Sequence, residues 1–374
     1  MTLRSLSAAL LALLLGALAW PAAAQPSPPP GAREGDFTIR DFHFRSGESL
    51  PALRVHYMTL GEPVRDGAGR ITNAVLLLHG TGGSGRQFLA PQFAGELFGP
   101  GRLLDTQRYF IILPDDIGHG KSSKPSDGLH ARFPLYGYRD MVEAEHALVT
   151  QGVGVERLRL ILGTSMGCMH VFLWGETWPD AARALMPLAC LPVAIAGRNR
   201  LWRDMVVHAI RSDPAWMGGD YASEPRVGLE AAADLLAIAG SAPWQMQQTL
   251  PTASDADVYL EKSLARSLET LDANDLIYQV EASRDYDPSA KLEAIGAPLM
   301  WINSADDFIN PPELGIAERE ARRLRRGRFI LLPISPATHG HGTHTWAAAW
   351  KDHLAELLAE SGAHELGGGV GLLP

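Results

Sequence analysis

Three stretches of this 374-residue chain carry residue types that can do chemistry together. The first is Gly163-Thr164-Ser165-Met166-Gly167. It follows the apolar run Leu158-Arg159-Leu160-Ile161-Leu162 and precedes Cys168-Met169-His170-Val171-Phe172-Leu173-Trp174. Strand, Gly-x-Ser-x-Gly, helix is the pattern of a nucleophile elbow, a turn so tight that only small residues fit two positions either side of the serine. Such a turn holds a serine oxygen in the open, with a helix N-terminus behind it, where it can attack an acyl carbon. A serine hydroxyl is a poor nucleophile until a base takes its proton, and the base needs a third group to hold its tautomer. The second and third stretches offer those groups: Ser304-Ala305-Asp306-Asp307-Phe308-Ile309-Asn310-Pro311-Pro312 and Thr338-His339-Gly340-His341-Gly342-Thr343-His344.

Asp306 and Asp307 compete for the role of acid. Asp307 is preferred because it lies four residues before Pro311; Asp306 is then a turn-capping residue. Of the three histidines, His341 lies between glycines on a tight loop and is the expected base, with His339 and His344 in supporting or surface positions. The three histidines lack a carboxylate or cysteine among them, so a metal site is not expected there. Oxyanion donors are expected from the Met166 N–H at the helix N-terminus and from the Thr81 N–H in the glycine-rich loop His79-Gly80-Thr81-Gly82-Gly83-Ser84-Gly85. That loop lacks the Gly-Lys-Ser/Thr ending of a phosphate-binding P-loop. A second glycine-bearing turn, Asp115 to Ser123, reads as structural, with His119 at the rim. No cofactor is called for.

These loops need a rigid edge to project from. Phe37 to Phe44 and Leu53 to Tyr57 alternate with period two and suggest a starting antiparallel hairpin. Four fuller apolar runs follow: Ala74–Leu78, Tyr109–Leu113, Leu158–Leu162 and Ala184–Ala189. Unbroken runs suit strands buried on both faces of a parallel sheet, and helical stretches such as Tyr138 to Gln151 lie between them. The rhythm breaks between about Arg198 and Tyr286, where periodicity is helical. It resumes at Pro298–Asn303 and Phe329–Leu332, and an amphipathic helix over Thr345 to Leu358 closes the chain. The expected fold is an α/β sheet of eight mostly parallel strands, with core segments 36–195 and 291–374 and a helical cap over 196–290. Trp202, Met205, Trp216, Met217, Trp244, Met246 and Tyr259 of the cap read mainly as packing core, with a few expected to line an apolar substrate pocket.

Composition narrows the function classes. A net charge of −9 argues against a nucleic-acid footprint. Residues 1–24 read as a cleavable signal peptide: Arg4, an apolar stretch from Leu10 to Trp20, then Pro21-Ala22-Ala23-Ala24. Residues 25–35 read as a disordered leader. The expected location is periplasmic or secreted, with no membrane span. The two cysteines, Cys168 and Cys190, are expected as buried free thiols, although their elements could be neighbours. The expected partner is a small-molecule ester or acyl substrate; a homodimer is compatible with the sequence.

These motifs resemble the α/β-hydrolase superfamily and, within it, the homoserine O-acetyltransferase-like family. The likeness extends through Leu104–Phe110, Arg139–Val142, Gly152–Leu158, the Gly163–Gly167 elbow, Trp178-Pro179-Asp180 and Asp272-Ala273-Asn274-Asp275. It implies a Ser165–Asp307–His341 triad and a helical cap. Two positions depart from the resemblance. In members that acylate homoserine the catalytic His is followed by an Asp that helps hold the amino acid; Gly342 stands there. Their Gly-Ser-Thr-Gly-Pro-like stretch is replaced by Gly118-His119-Gly120-Lys121-Ser122-Ser123-Lys124-Pro125. An exported enzyme also has no ready supply of acyl-CoA. The expectation is therefore an exported serine hydrolase cleaving a carboxylic ester, with acyl transfer to a small alcohol or thiol as the alternative.

Overall fold

A computed structural model describes residues 31–367; the segment read as a signal peptide lies outside the described residues. β1 (Arg33–His43) and β2 (Ser49–Leu60) form the expected antiparallel hairpin. β1 begins at Arg33, so the last three residues assigned to a leader belong to the sheet. β2 runs antiparallel to β4 (Phe110–Pro114). All further pairings are parallel, through β3 (Ala74–Leu78), β5 (Leu160–Thr164), β6 (Leu185–Leu188), β7 (Leu299–Ser304) and β8 (Gly327–Leu332). The eight strands lie in the order β1-β2-β4-β3-β5-β6-β7-β8.

Side-chain alternation explains the two core layers. Along β3, Leu76 and Leu78 point to one face and Val75 and Leu77 to the other, and all four are fully buried. A strand covered on both faces needs apolar residues at every position, which is why β3, β4 and β5 read as unbroken runs. One face is covered by α1 (Pro91–Leu97) and α2 (Lys351–Gly367), where Phe93 meets Trp350 at 5.7 Å between ring centroids. The other is covered by α3 (Tyr138–Ala147) and α4 (Met166–Thr177). All of α4 except Thr177 is buried, as expected of a helix that is apolar all round.

The closing helix differs from its expected span of Thr345–Leu358. Two short 3₁₀ turns, Gly342–Thr345 and Ala347–Ala349, come first, and α2 starts at Lys351. The turns let the chain leave the histidine loop and still bury Ala347 and Trp350 against the sheet.

Between β6 and β7 run five helices: α5 (Gly197–Ser212), α6 (Arg226–Ala239), α7 (Pro243–Thr249), α8 (Ala253–Leu268) and α9 (Ala273–Glu281). They reach the carboxyl-edge loops through specific bonds. Gln279 Nε2 donates to Gly118 O at 2.8 Å, and Ser126 Oγ donates to Asp275 at 2.7 Å. Gln245 donates to Thr338 O at 2.5 Å. α8 has no buried residue, whereas α9 is buried along eight of its nine positions, Ala273 to Val280. Among the described residues, no helix is long and apolar enough to cross a membrane.

Candidate active site

The elbow is built by exclusion of side chains. A Cβ on Gly163 would lie 2.0 Å from Gly167 O, and one on Gly167 would lie 2.1 Å from Leu78 O. Neither backbone carbonyl can move aside, so both positions require glycine. Between them Ser165 takes φ 56°, ψ −109°, a strained backbone for any residue with a side chain. Two neighbours hold the turn: Ser165 N donates to Leu188 O at 2.8 Å and Gly167 N to His79 O at 2.9 Å. The strain at Ser165 is thus over-determined by β3 and β6 on either side.

The structure brings Ser165, His341 and Asp307 together. His341 Nε2 lies 2.7 Å from Ser165 Oγ. His341 Nδ1 lies 2.9 Å from Asp307 Oδ2 and 3.1 Å from Oδ1. A carboxylate only accepts, so Nδ1 carries the proton and Nε2 is left to accept from the serine hydroxyl. Asp307 is buried at 2% exposure and also accepts from Ile309 N at 2.8 Å and Asn310 Nδ2 at 2.9 Å. Burial pushes its carboxyl up, but the His341 charge and the bonds from His341 and Asn310 outweigh this and hold it below the usual carboxylate range. Asp307 therefore stays ionised behind the imidazole. The chain of contacts can draw a proton from the hydroxyl as the oxygen attacks.

The competing residues have other work. Asp306 accepts from Ser304 Oγ, from Thr338 Oγ1 at 2.9 Å and from Gly340 N at 3.0 Å, tying the histidine loop to the end of β7. His339 stacks on Trp346 at 3.9 Å between centroids. His344 meets the His341 ring edge-on at 5.2 Å. Desolvation, then the neighbouring His341, push its pKa down to about 3, so it stays neutral beside the imidazole. His119 does not sit at the rim as expected. It is 1% exposed, bonded through Nδ1 to Ile117 O and packed 5.1 Å from His79, because the Asp115–Ser123 turn folds inward beneath the glycine-rich loop.

The glycine-rich loop passes directly over the elbow: a Cβ on Gly80 would be 3.3 Å from Ser165 Cβ. Met166 opens α4, where the first N–H groups have no intrahelical acceptor. Thr81 follows Gly80, and its Oγ1 is buried without a protein partner among the described residues. Gln87 was not singled out in the sequence, yet it organises this loop. Its Oε1 accepts from Gly80 N at 3.2 Å and its Nε2 donates to Thr164 Oγ1 at 2.7 Å. His79 accepts at Nε2 from Asp116 N at 3.1 Å, so its Nδ1 carries the proton to Gly80 O at 2.8 Å. Asn310 was missed in the same way. Both are amides whose roles depend on contacts across the fold, and no local spacing marks them.

Beneath the elbow helix lies a buried polar cluster. Asp116, Glu145 and His170 converge with their polar atoms within 4.8 Å of one another. Glu145 binds His170 Nδ1 and Trp174 Nε1, each at 2.6 Å. Burial pushes Glu145 up to about 7 against its hydrogen bonds, and burial with the Glu145 charge raises Asp116 well above its ordinary value.

The cysteines are bonded to each other, not free. Cys168 sits in the first turn of α4 and Cys190 two residues after β6. The parallel pairing of β5 with β6 brings their Cα atoms to 5.8 Å, within bridging range.

Comparison with known proteins places this geometry. The family pattern for the α/β hydrolase fold matches residues 73–330. A homoserine O-acetyltransferase of Thermobifida fusca is 36% identical over 54% of this chain and 55% of its own length. A homoserine O-acetyltransferase of Pelobacter propionicus is 30% identical over 83% of this chain and 91% of its own. Among solved structures, an acetylester hydrolase from Corynebacterium glutamicum superposes with a TM-score of 0.76 over 87% of this chain and 96% of its own, at 20% identity. The sheet order, the elbow and these similarities lead to one conclusion: the chain belongs to the α/β-hydrolase family and, within it, to the homoserine O-acetyltransferase-like proteins.

Proposed function

We propose that this protein is an acyl-serine enzyme that transfers an acyl group to a small alcohol or thiol. The observation that carries the reading is the 2.7 Å contact of Ser165 Oγ with His341 Nε2, backed by Asp307 at 2.9 Å. Ser165 Oγ forms a bond to the acyl carbon while its proton passes to His341 Nε2. The carbonyl oxygen, now an oxyanion, takes hydrogen bonds from the Thr81 and Met166 N–H groups. Collapse of the tetrahedral intermediate breaks the bond to the leaving group, which takes the proton from Nε2. The acceptor hydroxyl or thiol then gives its proton to His341, attacks the acyl-serine and releases Ser165 by the reverse steps. Asp307 remains ionised throughout and steadies the imidazolium.

Transfer is placed ahead of hydrolysis because relatives matched over more than four-fifths of this chain, at 85% and 83%, are named homoserine O-acetyltransferases. Hydrolysis is the second reading, and two observations favour it. Gly342 follows His341 where the homoserine-acylating members carry an Asp. The buried Cys168–Cys190 bridge suits an oxidising compartment, in line with the signal-like residues 1–24, and there acyl-CoA is not at hand. Incubating the purified protein with acetyl-CoA or an acetyl ester, with and without homoserine, and identifying the products separates the two. Acetylated acceptor supports transfer; free acetate formed at the same rate whether or not acceptor is present supports hydrolysis. If Ser165→Ala leaves both products unchanged, the acyl-serine reading itself is lost.

A further inference from the structure

The edge of the sheet opposite the triad carries a cluster of arginines that acyl transfer does not use. In a parallel sheet the residues that enter successive strands lie side by side. Leu158 pairs with Ala182, its N–H donating to Ala181 O at 2.7 Å, and Arg183 N donates to Leu158 O at 3.0 Å. That register sets Arg157 and Arg159, at the entry to β5, against Arg183, at the entry to β6. Further along the edge, Leu185 N donates to Pro298 O at 2.9 Å and Leu299 N to Arg326 O at 3.0 Å, which brings the entries of β7 and β8 into the same row. Arg183 and Arg326 are then two strand spacings apart, about 10 Å. Beside this row lies a cleft of about 340 Å³ whose walls include Arg157, Asp180, Arg183, Pro298, Arg326 and Ser361.

We infer that this cleft is a binding site for a doubly charged phosphate group, carried either by free phosphate or by a phosphate monoester headgroup. On a chain of net charge −9, the cleft sets three guanidiniums against one carboxylate, that of Asp180. Among the described residues neither Arg157 nor Arg326 makes an ion pair, and both are exposed. Arg328, just beyond the cleft, differs: Glu356 at 3.4 Å and Glu360 at 2.6 Å already balance it. Arg159 is held by neutral groups, donating to Ser361 Oγ at 2.8 Å and Leu358 O at 2.7 Å, so its charge remains in the field of the cleft. Burial, then the charges of Arg157 and Arg159, push Arg183 below the usual arginine range.

Like charges held this close repel, and an anion between them relieves the repulsion. Each guanidinium offers paired N–H donors that match two oxygens of one anion. A carboxylate brings one charge and two oxygens, enough for a single guanidinium fork. A phosphate in its doubly charged form brings oxygens for two or three forks and balances two positive charges. The site is remote from the chemistry: the steps along β5 from Arg159 to Ser165 span roughly 20 Å, so a bound phosphate does not compete with substrate. A headgroup bound here leaves the carboxyl edge, with Ser165 and His341, facing away from the lipid surface.

The test has an arm for each source of the phosphate. Isothermal titration calorimetry of the purified protein with sodium phosphate, at low salt and near neutral pH, reads the free anion. Co-sedimentation with phosphatidylcholine vesicles, with and without phosphatidic acid, reads the headgroup. The proteins are the wild type, Arg157→Ala, Arg326→Ala, the double variant and, as a control, Arg40→Ala at an exposed position of β1. Each cleft substitution weakens binding about fivefold and the pair about twentyfold, while Arg40→Ala stays within about twofold of wild type. Acetate, with its single charge, competes far more weakly than phosphate. A calorimetric signal assigns the site to free phosphate, and binding confined to vesicles with phosphatidic acid assigns it to a headgroup; either supports the site. No binding in either arm overturns it, as does binding that the double variant retains or that Arg40→Ala weakens as much. Acetate competing as well as phosphate overturns the doubly charged ligand. Circular dichroism and melting confirm that each variant is folded, and the two single variants decide if the double variant is not.

Discussion

The elbow and the histidine loop aim their side chains at the same point by opposite means. The elbow is rigid because nothing else fits. A Cβ on either of its two glycines would lie within 2.1 Å of a backbone carbonyl oxygen, and Ser165 has nowhere to go but outward. The histidine loop is aimed by long-range hydrogen bonds. Asp306 grips Thr338 and Gly340 from the end of β7, Gln245 of α7 grips Thr338 O, and Thr343 Oγ1 accepts from His339 N at 2.8 Å. Local sterics place Ser165, whereas a network gathered from three parts of the chain places His341. The lesson is one of tolerance. Sterics fail abruptly, while a network loses precision by degrees.

The largest effect should come from the group that both regions serve. Asp307→Asn keeps the shape but leaves His341 in the wrong tautomer, and kcat should fall by about 10⁴-fold with little change in melting temperature. Steady-state kinetics beside a thermal melt would show it, and a loss under tenfold would remove Asp307 from the relay. On the elbow side, Gly167→Ala forces a Cβ into Leu78 O. It should cost more than about 3 kcal/mol and give insoluble or inactive protein; a soluble, active variant would mean that the elbow is not sterically determined. On the loop side, Asp306→Ala should fold and lower kcat by roughly 10²-fold through misplacement of His341, with KM nearly unchanged. Asp306→Asn should recover part of the rate, because an amide oxygen can still accept from Gly340 N. If Asp306→Ala lowers stability alone, the network braces the loop without aiming the base.

Two smaller effects concern the ground under the elbow. Breaking the Cys168–Cys190 bridge by Cys168→Ser opens a link across 22 residues and should cost about 3 kcal/mol by the loop-closure estimate, read as a lower melting temperature. A reductant should reproduce the loss in wild type and leave the variant unchanged. The last effect is a pH dependence. Glu145 keeps its proton in the folded state up to about 7, against an ordinary value of 4.5. Above 4.5 the unfolded chain gives up that proton and the folded chain does not, so folding stability is fully present below 4.5 and declines as pH rises through about 7. Asp116, pushed up by burial, and His170, pushed down by burial, face the same cluster. Glu145→Gln should flatten the melting temperature against pH over this interval, and a variant as steep as wild type would refute the assignment.

Much of the frame was readable from the residues alone. The unbroken runs of β3 and β5 announce strands covered on both faces, and the alternation in β1 and β2 announces the hairpin. The Gly-x-Ser-x-Gly turn specifies its own geometry. Chain order and loop position favour Asp307 and His341 over their neighbours, though only the contacts made across the fold distinguish two adjacent aspartates or three nearby histidines. His119 could not be placed, because whether a polar turn faces solvent or folds under a neighbouring loop depends on what covers it. The cysteine pairing escaped for a related reason: it depends on which strands lie side by side, and β5 and β6 are brought together only by the sheet.

Short-range exclusion and hydrophobic period are written in consecutive residues. Consecutive residues are therefore enough to mark the strands, the Gly-x-Ser-x-Gly turn and the chain order Ser165, Asp307, His341. The hydrogen-bond partners of Asp306 and Asp307, the amide contacts of Gln87 and Asn310 and the Cys168–Cys190 bridge arise from long-range packing. Each of these joins segments far apart in the chain, and directional bonds and bridging distances exist only once the sheet has brought those segments into register.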